Sequence, residues 1–273
     1  MQKNKVNWST SIFLILGSIM ILFPLYITIV IALKNPQEIA QSVLSLPKNL
    51  HFENFIIAIK MTRFFRSFTN SFIITVSGVA LTILTNSMVA YAIARNMHKK
   101  FFKFLYFYFV SALFIPFAII MLPIVKQTSA MGIDNKWGLI FLYIVYGLAF
   151  NIFLYVAYIK SIPISLEEAA IIDGCNVWQV FWKIIFPLMA PINSAVMVLS
   201  TLWLWNDFLL PLVILSKRDD MTLQLVQYVF QSQFRTDYNL AFASYLMAMA
   251  PLIIIYTVAQ KWVVSGITKG SIK

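Results

Sequence analysis

Charge is what this 273-residue sequence has least of. Asp, Glu, Lys and Arg together make up 11% of it, against about a quarter in an ordinary water-soluble domain. Cysteine is limited to Cys175, which excludes a disulfide scaffold and says nothing of redox compartment. Histidine occurs twice, as His51 and His98, and neither has companions at metal-ligand spacing. The string G-x-x-x-x-G-K-[ST] is absent, so the chain is not expected to hydrolyse ATP itself. H-E-x-x-H and G-x-S-x-G are missing too, which leaves metal and nucleophilic catalysis without a foundation. No enzyme activity, metal or cofactor is expected.

Apolar residues fill the space. They make up 60% of the chain, aromatics 16%, and the mean hydropathy is +0.81. One aqueous core of this length could not hide so much apolar surface. The class that remains is an all-α polytopic membrane protein. A spanning helix needs about 20 apolar residues, and six stretches qualify: 11–33, 72–94, 104–125, 137–159, 187–215 and 240–260. The first is too long for a signal-peptide core and is read as retained. Six spans put both termini on one side. Lys and Arg are nearly balanced between the two sides, but the dense cluster Arg95, Lys99, Lys100 and Lys103 favours an inner N terminus. The net charge of +11 is scattered in such clusters and does not form a nucleic-acid surface. Pro24, Pro116, Pro123 and Pro251 fall inside spans and are read as kinks absorbed by neighbouring helices. Residues 54–65 suggest a short helix lying in the interface.

Ionisable residues at membrane depth commonly mark a transport path. Here Asp207 is the one candidate, beside Asn206, in Trp203-Leu204-Trp205-Asn206-Asp207-Phe208. Two readings stay open for the pair: the lining of a polar path, or a helix cap beside a water-filled vestibule. A single buried carboxylate argues against an ion-coupled carrier, which would also show inverted repeats. Asn86, Asn151, Asn193 and Ser194 are read chiefly as polar glue between helices.

The most informative stretch is 161–186, between the fourth and fifth spans. Ser165-Leu166-Glu167-Glu168 fits a capping box, with Ser165 as cap and Glu168 reaching back. Ala169 and Ala170 would let another protein approach the helix backbone. Gly174 would end that helix in a left-handed conformation. A second helix with Trp178 and Trp182 one turn apart would lead to Pro187.

The full string is Glu168-Ala169-Ala170, three residues, Gly174, nine residues, Ile184, one residue, then Phe186-Pro187. It resembles the E-A-A-x3-G-x9-I-x-L-P motif of permease subunits of ATP-binding-cassette importers, with Phe186 where leucine is usual. About six positions at fixed spacing arise by chance on the order of once in 10⁶ starts. Further matches resemble the carbohydrate-uptake branch. They are Asn70-Ser71, Tyr91-Ala92-Ile93-Ala94-Arg95, Trp205-Asn206-x-Phe208 and the tail from Gln260 to Gly270, the last similar to the maltose-type second permease.

The resemblance implies a type I importer permease fold. It has an N-terminal helix and external segment over 1–69, a permease core over 70–261 and a cytoplasmic tail over 262–273. Glu168, Ala169, Ala170 and Gly174 take the positions of the coupling helix, which seats on a cytoplasmic ATPase. The implied partners are a second permease, two ATP-binding subunits and an external solute-binding protein, with a sugar as cargo. The implied location is the inner membrane of a prokaryote, with both termini cytoplasmic. External loop 216–238 would face the binding protein, and tail 266–273 the ATPases. A permease for another solute, such as a phosphorylated polyol, is the alternative.

Overall fold

The computed structural model describes residues 8–230 and 237–271, with side chains up to residue 254 and at 257. Among these residues the ordered elements are helices, as the composition demands: in hydrocarbon a backbone must satisfy its own polar groups. The chain divides into two compact units, one of residues 1–65 with 226–253, the other of 66–225 with 254–273.

The first unit opens with α1 (Trp8–Ala32), an apolar rod whose outer two-thirds is exposed and whose end, at Val30, Ile31 and Ala32, is buried. Pro24 lies within it, and Thr28 Oγ1 donates to the Pro24 carbonyl at 2.8 Å. Asn35 caps α2 (Pro36–Gln41) by accepting from the Glu38 amide, with Pro36 at the first helical turn. The expected short helix exists as α3 (Glu53–Thr62) and stops where Arg63 turns left-handed. Its buried residues Asn54, Ala58 and Thr62 recur every fourth position, whereas Ile56 and Ile57 face outward. Asn54 donates to the carbonyls of Ala32 and Lys34, both at 2.9 Å, and so closes the end of α1. Buried Lys34 donates to Ser42 O at 2.7 Å and Ser45 Oγ at 3.0 Å. His51 Nδ1 lies 2.6 Å from Glu53 Oε1, and this contact holds the exposed Glu53 carboxyl below its ordinary range.

The second unit is built on α4 (Phe64–Arg95), a proline-free helix of 32 residues whose first two residues belong to the other unit. After α5 (Lys100–Ser111) a single 3-10 turn leads to α6 (Phe117–Ala130), and the chain bends by 106° between them. The stretch expected to span over 104–125 is therefore a bent pair and not one straight rod. Proline forces the preceding residue out of the helical region, and Ile115 is extended, with φ −89° and ψ 111°. Pro116 is thus a break, whereas Pro24, Pro123 and Pro251 sit inside continuous helices. Next comes α7 (Lys136–Ile159), capped by Asn135, which accepts from Trp137 and Gly138 amides.

Then follow α8 (Ser165–Ile172), α9 (Val177–Val180), a π turn at Phe181–Ile185, α10 (Phe186–Leu188) and α11 (Ala190–Asn206). The axis turns by 74° at Met189. The fifth apolar stretch is also interrupted, because Asp207 is extended between α11 and α12 (Leu209–Ile214). Last is α13 (Tyr238–Ser271). Among the described residues, α1, α4 and α7 are long and apolar enough to cross a membrane as single rods. The α5–α6 and α9–α11 runs reach that length only as bent pairs. Side chains of α13 beyond Thr257 lie outside the described residues, so the sixth stretch is covered only in part.

Two buried clusters hold the second unit. One gathers Ala90, Ile93, Ile152, Tyr155, Ile159, Ala170, Val180 and Phe181 around the ends of α4 and α7 and the α8–α10 segment. The other gathers Ile74, Val79, Leu139, Tyr143, Leu204 and Leu210 near their opposite ends. Between the clusters, Gly147 lets α7 meet α4 closely: a Cβ there would stand 3.1 Å from both Thr82 Cγ2 and Asn151 Nδ2 and 3.2 Å from Asn86 Nδ2. Asn86 and Asn151 are both buried.

Candidate coupling segment and cavity

The first candidate site is the α8–α10 segment. The expected capping box at Ser165 and Glu168 does not form. Ile164, directly after Pro163, already has helical angles (φ −64°, ψ −29°) and takes the cap position without a side-chain bond. Ser165 is therefore the first helical residue. The amides of Glu167 and Glu168 instead reach the Ile164 carbonyl at 2.9 and 3.1 Å. Both carboxylates still lie in the first turn, where the helix dipole favours negative charge.

Gly174 ends the helix with φ +85°. Its amide donates to Ile171 O at 3.0 Å and the Cys175 amide to Ala170 O at 2.9 Å, the paired pattern of a Schellman motif. A capping box then starts the next helix. Asn176 Oδ1 accepts from the Gln179 amide at 3.0 Å, and Gln179 Oε1 accepts from the Asn176 amide at 2.8 Å. The sequence signal was Asn-x-x-Gln, eleven residues after the Ser-x-x-Glu that carried the expectation.

The segment has two faces. Glu168, Ala169 and Gly174 are exposed, together with Leu166, Ile171, Ile172, Val177 and Trp178. Ala170 and Glu167 turn inward. Glu167 was assigned no role from the sequence, yet it is the most tightly held carboxylate of the segment. Arg95 Nε donates to Glu167 Oε1 at 2.6 Å, Arg95 Nη2 to Ile162 O at 3.0 Å, and Tyr91 Oη to Glu167 Oε2 at 2.6 Å. The available signal was a second carboxylate beside Glu168 and an arginine closing an apolar helix.

The second candidate site is a cavity of about 640 Å³ lined by Tyr108, Ser111, Phe117, Tyr146, Trp203 and Asp207 among others. Asp207 is held at both oxygens. Oδ1 accepts from the Leu209 amide at 3.1 Å, and Oδ2 accepts from Tyr143 Oη at 2.9 Å. It therefore both opens α12 and faces the cavity. Trp203 packs edge-on against Tyr143, with centroids 5.5 Å apart. Asn206 does not share that place: its Nδ2 returns to Leu202 O, within its own helix, at 2.8 Å.

A third arrangement lies past α12, where residues 219–223 are pinned to the start of α4. Asn70 Nδ2 donates to Asp219 O at 2.8 Å and Met221 O at 3.2 Å. Ser71 Oγ accepts from the Leu223 amide at 2.8 Å, and Arg66 Nη2 pairs with Asp219 Oδ2 at 3.2 Å. Lys136 Nζ lies 3.7 Å from Asp220 Oδ1.

Residues 86–269 match the family described as the binding-protein-dependent transport system inner membrane component. The chain belongs to that family. Its members are permease subunits of ATP-binding-cassette importers, transport components and not enzymes. The matched range contains the α8–α10 segment, the cavity and Asp207.

Among curated relatives, the chain is 38% identical to the multiple sugar-binding transport system permease protein MsmG of Streptococcus mutans, over 100% of this chain and 99% of that one. It is 36% identical to the probable starch degradation products transport system permease protein AmyC of Thermoanaerobacterium thermosulfurigenes, over 94% and 93%. Among solved structures, a chain of a bacterial ABC transporter involved in the import of the acidic polysaccharide alginate superposes with a TM-score of 0.78. That match covers 93% of this chain and 94% of that one at 24% identity, and it shows the type I importer permease fold. The expected contacts of tail 266–273 concern side chains outside the described residues.

Proposed function

We propose that this chain is the permease subunit of an importer that moves a sugar or oligosaccharide across the cytoplasmic membrane by alternating access. It works beside a second permease, two ATP-binding subunits and an external solute-binding protein. Both termini are cytoplasmic, residues 70–261 form the permease core, and 1–69 are an N-terminal addition. Glu168, Ala169, Ala170 and Gly174 form the coupling helix that docks on the ATPase. Asp207 belongs to the translocation path, whereas Asn206, named beside it from the sequence, turns back onto its own helix.

The observation that carries this reading is the α8 segment. It is a short helix with an exposed face of small and apolar residues, closed by a left-handed glycine and tied by its other face to the ends of the spans. The sugar class is supported by the named relatives, which are described as permeases for multiple sugars and for starch degradation products. An aromatic-lined cavity with an anchored carboxylate suits such a cargo, since rings offer flat apolar faces and carboxylates accept from hydroxyls.

The test is a mild-detergent pull-down of the tagged chain from its native membrane. Mass spectrometry identifies the partners, and the eluate is assayed for ATP hydrolysis. A second permease and an active ATPase are expected. Glu168→Lys or Gly174→Trp should then reduce ATPase recovery or uncouple hydrolysis from uptake without preventing membrane insertion. Normal recovery and uptake in both variants would refute the docking assignment. Uptake of a phosphorylated polyol but no sugar by the intact complex would replace the sugar class.

A further inference from the structure

We propose that the Arg95–Glu167 ion pair, completed by Tyr91, is a strut that carries displacement of α8 into α4. It rests on the importer reading above. The pair joins elements far apart in sequence. Two residues one turn apart on the last turns of α4 grip a carboxylate on the first turn of α8, whereas the Schellman turn ties α8 only to its sequence neighbours.

The junction joins charge to charge and to backbone. The guanidinium holds both the carboxylate and the Ile162 carbonyl, and each carboxylate oxygen has its own donor. The side chains are only 13% and 10% exposed, so water offers neither a ready substitute partner. Charge-assisted bonds of this kind are strong, and opening one would leave an uncompensated buried charge. A second tie lies beyond Gly174, where the Tyr91 and Phe181 rings meet at 5.3 Å. Thus α8 and the π turn after it are both fixed to the same end of α4.

The helix that receives the push is suited to pass it on. α4 is continuous over 32 residues and contains no proline, which makes it about 48 Å long. Near its other end Asn70 and Ser71 hold the 219–223 loop. The adjacent carboxylates therefore divide the work. Glu168 faces outward for docking, and Glu167 faces inward as a positioning residue.

A static staple that only shapes α8 would show the same bonds, so the test separates holding from transmitting. The whole complex is purified through the tagged chain carrying Leu209→Cys, a reporter on the wall of the Asp207 cavity. Alkylation by a maleimide is read by peptide mass spectrometry, which separates it from native Cys175. The rate is compared without nucleotide and with ATP plus vanadate.

The reporter background should change its rate by about tenfold on trapping. Glu167→Gln and Arg95→Ala should still recover a hydrolysing ATPase, with the change reduced to less than about twofold. The Arg95→Glu/Glu167→Arg exchange should restore most of it. Single variants that respond like the background would overturn the strut. Loss of the ATPase from both would overturn it too, by showing that the pair shapes the docking face alone. An unresponsive exchange with ATPase bound would assign the effect to local packing. A background that recovers no ATPase, or does not respond to trapping, would fail the importer reading itself and the strut with it.

Discussion

Replacing Gly174 isolates a backbone effect from a packing effect. The residue has φ +85°, a region that disfavours side chains, yet an added Cβ would find nothing within 4 Å. Steric overlap with neighbours is therefore absent, and the cost comes from the local conformation. For alanine that is about 1–2 kcal/mol, enough to change the population of the formed turn by roughly 5- to 30-fold. Asparagine tolerates the left-handed region better and should cost less. Valine, branched at Cβ, should cost more. The turn has its own reporters, because the Gly174 and Cys175 amides donate to Ile171 and Ala170 carbonyls. Amide exchange at these two positions in the purified complex measures how often it opens. The expected order of protection is Gly, Asn, Ala, Val. Equal protection in the alanine and glycine proteins, or an asparagine variant less protected than valine, would refute the argument.

Two further perturbations follow from the cavity and from the pinned loop. Tyr143→Phe removes the donor to Asp207 Oδ2 while keeping the buried ring, and a lost intramolecular hydrogen bond costs about 0.5–1.5 kcal/mol. Thermal unfolding of the purified complex should fall accordingly, and an unchanged midpoint would show that the bond contributes nothing. Asn70→Ala deletes both bonds to the 219–221 backbone. Limited proteolysis should then cut within 216–223 several times faster, and wild-type cutting rates would show that Arg66 and Ser71 suffice.

The sequence made the helices legible far better than their breaks. An apolar run reports that a segment lies in hydrocarbon, but it is uniform along its length and does not mark where the axis turns. Within 104–125 the relevant signal was Ile115 before Pro116, a local backbone constraint hidden by apolar neighbours. Asp207 stood out as an ionisable residue in an apolar stretch, and the structure adds its partners, the Leu209 amide and the Tyr143 hydroxyl. Gly174 was legible because few backbone arrangements use glycine in that way. The capping box was expected at Ser165 and found at Asn176, because α8 takes Ile164 as its cap, one residue earlier than the Ser-x-x-Glu pattern indicates.

Glu167 was the harder case. Two neighbouring carboxylates look alike in a sequence, and only the rotation of α8 on its bed, set by Ala170 and the end of α4, tells them apart.

The turn around Gly174 has a consequence for modularity. Its bonds, from Ile164 to Gln179, all close within sixteen consecutive residues. Its polar attachment to the rest of the chain is through Tyr91 and Arg95, and Ala170, Val180 and Phe181 pack beside them on the ends of α4 and α7. Such a segment can be exchanged between permeases as a cassette, provided the recipient supplies a tyrosine and an arginine one turn apart at the end of the corresponding helix. Under the proposed docking role, partner choice would then travel with a short stretch of sequence.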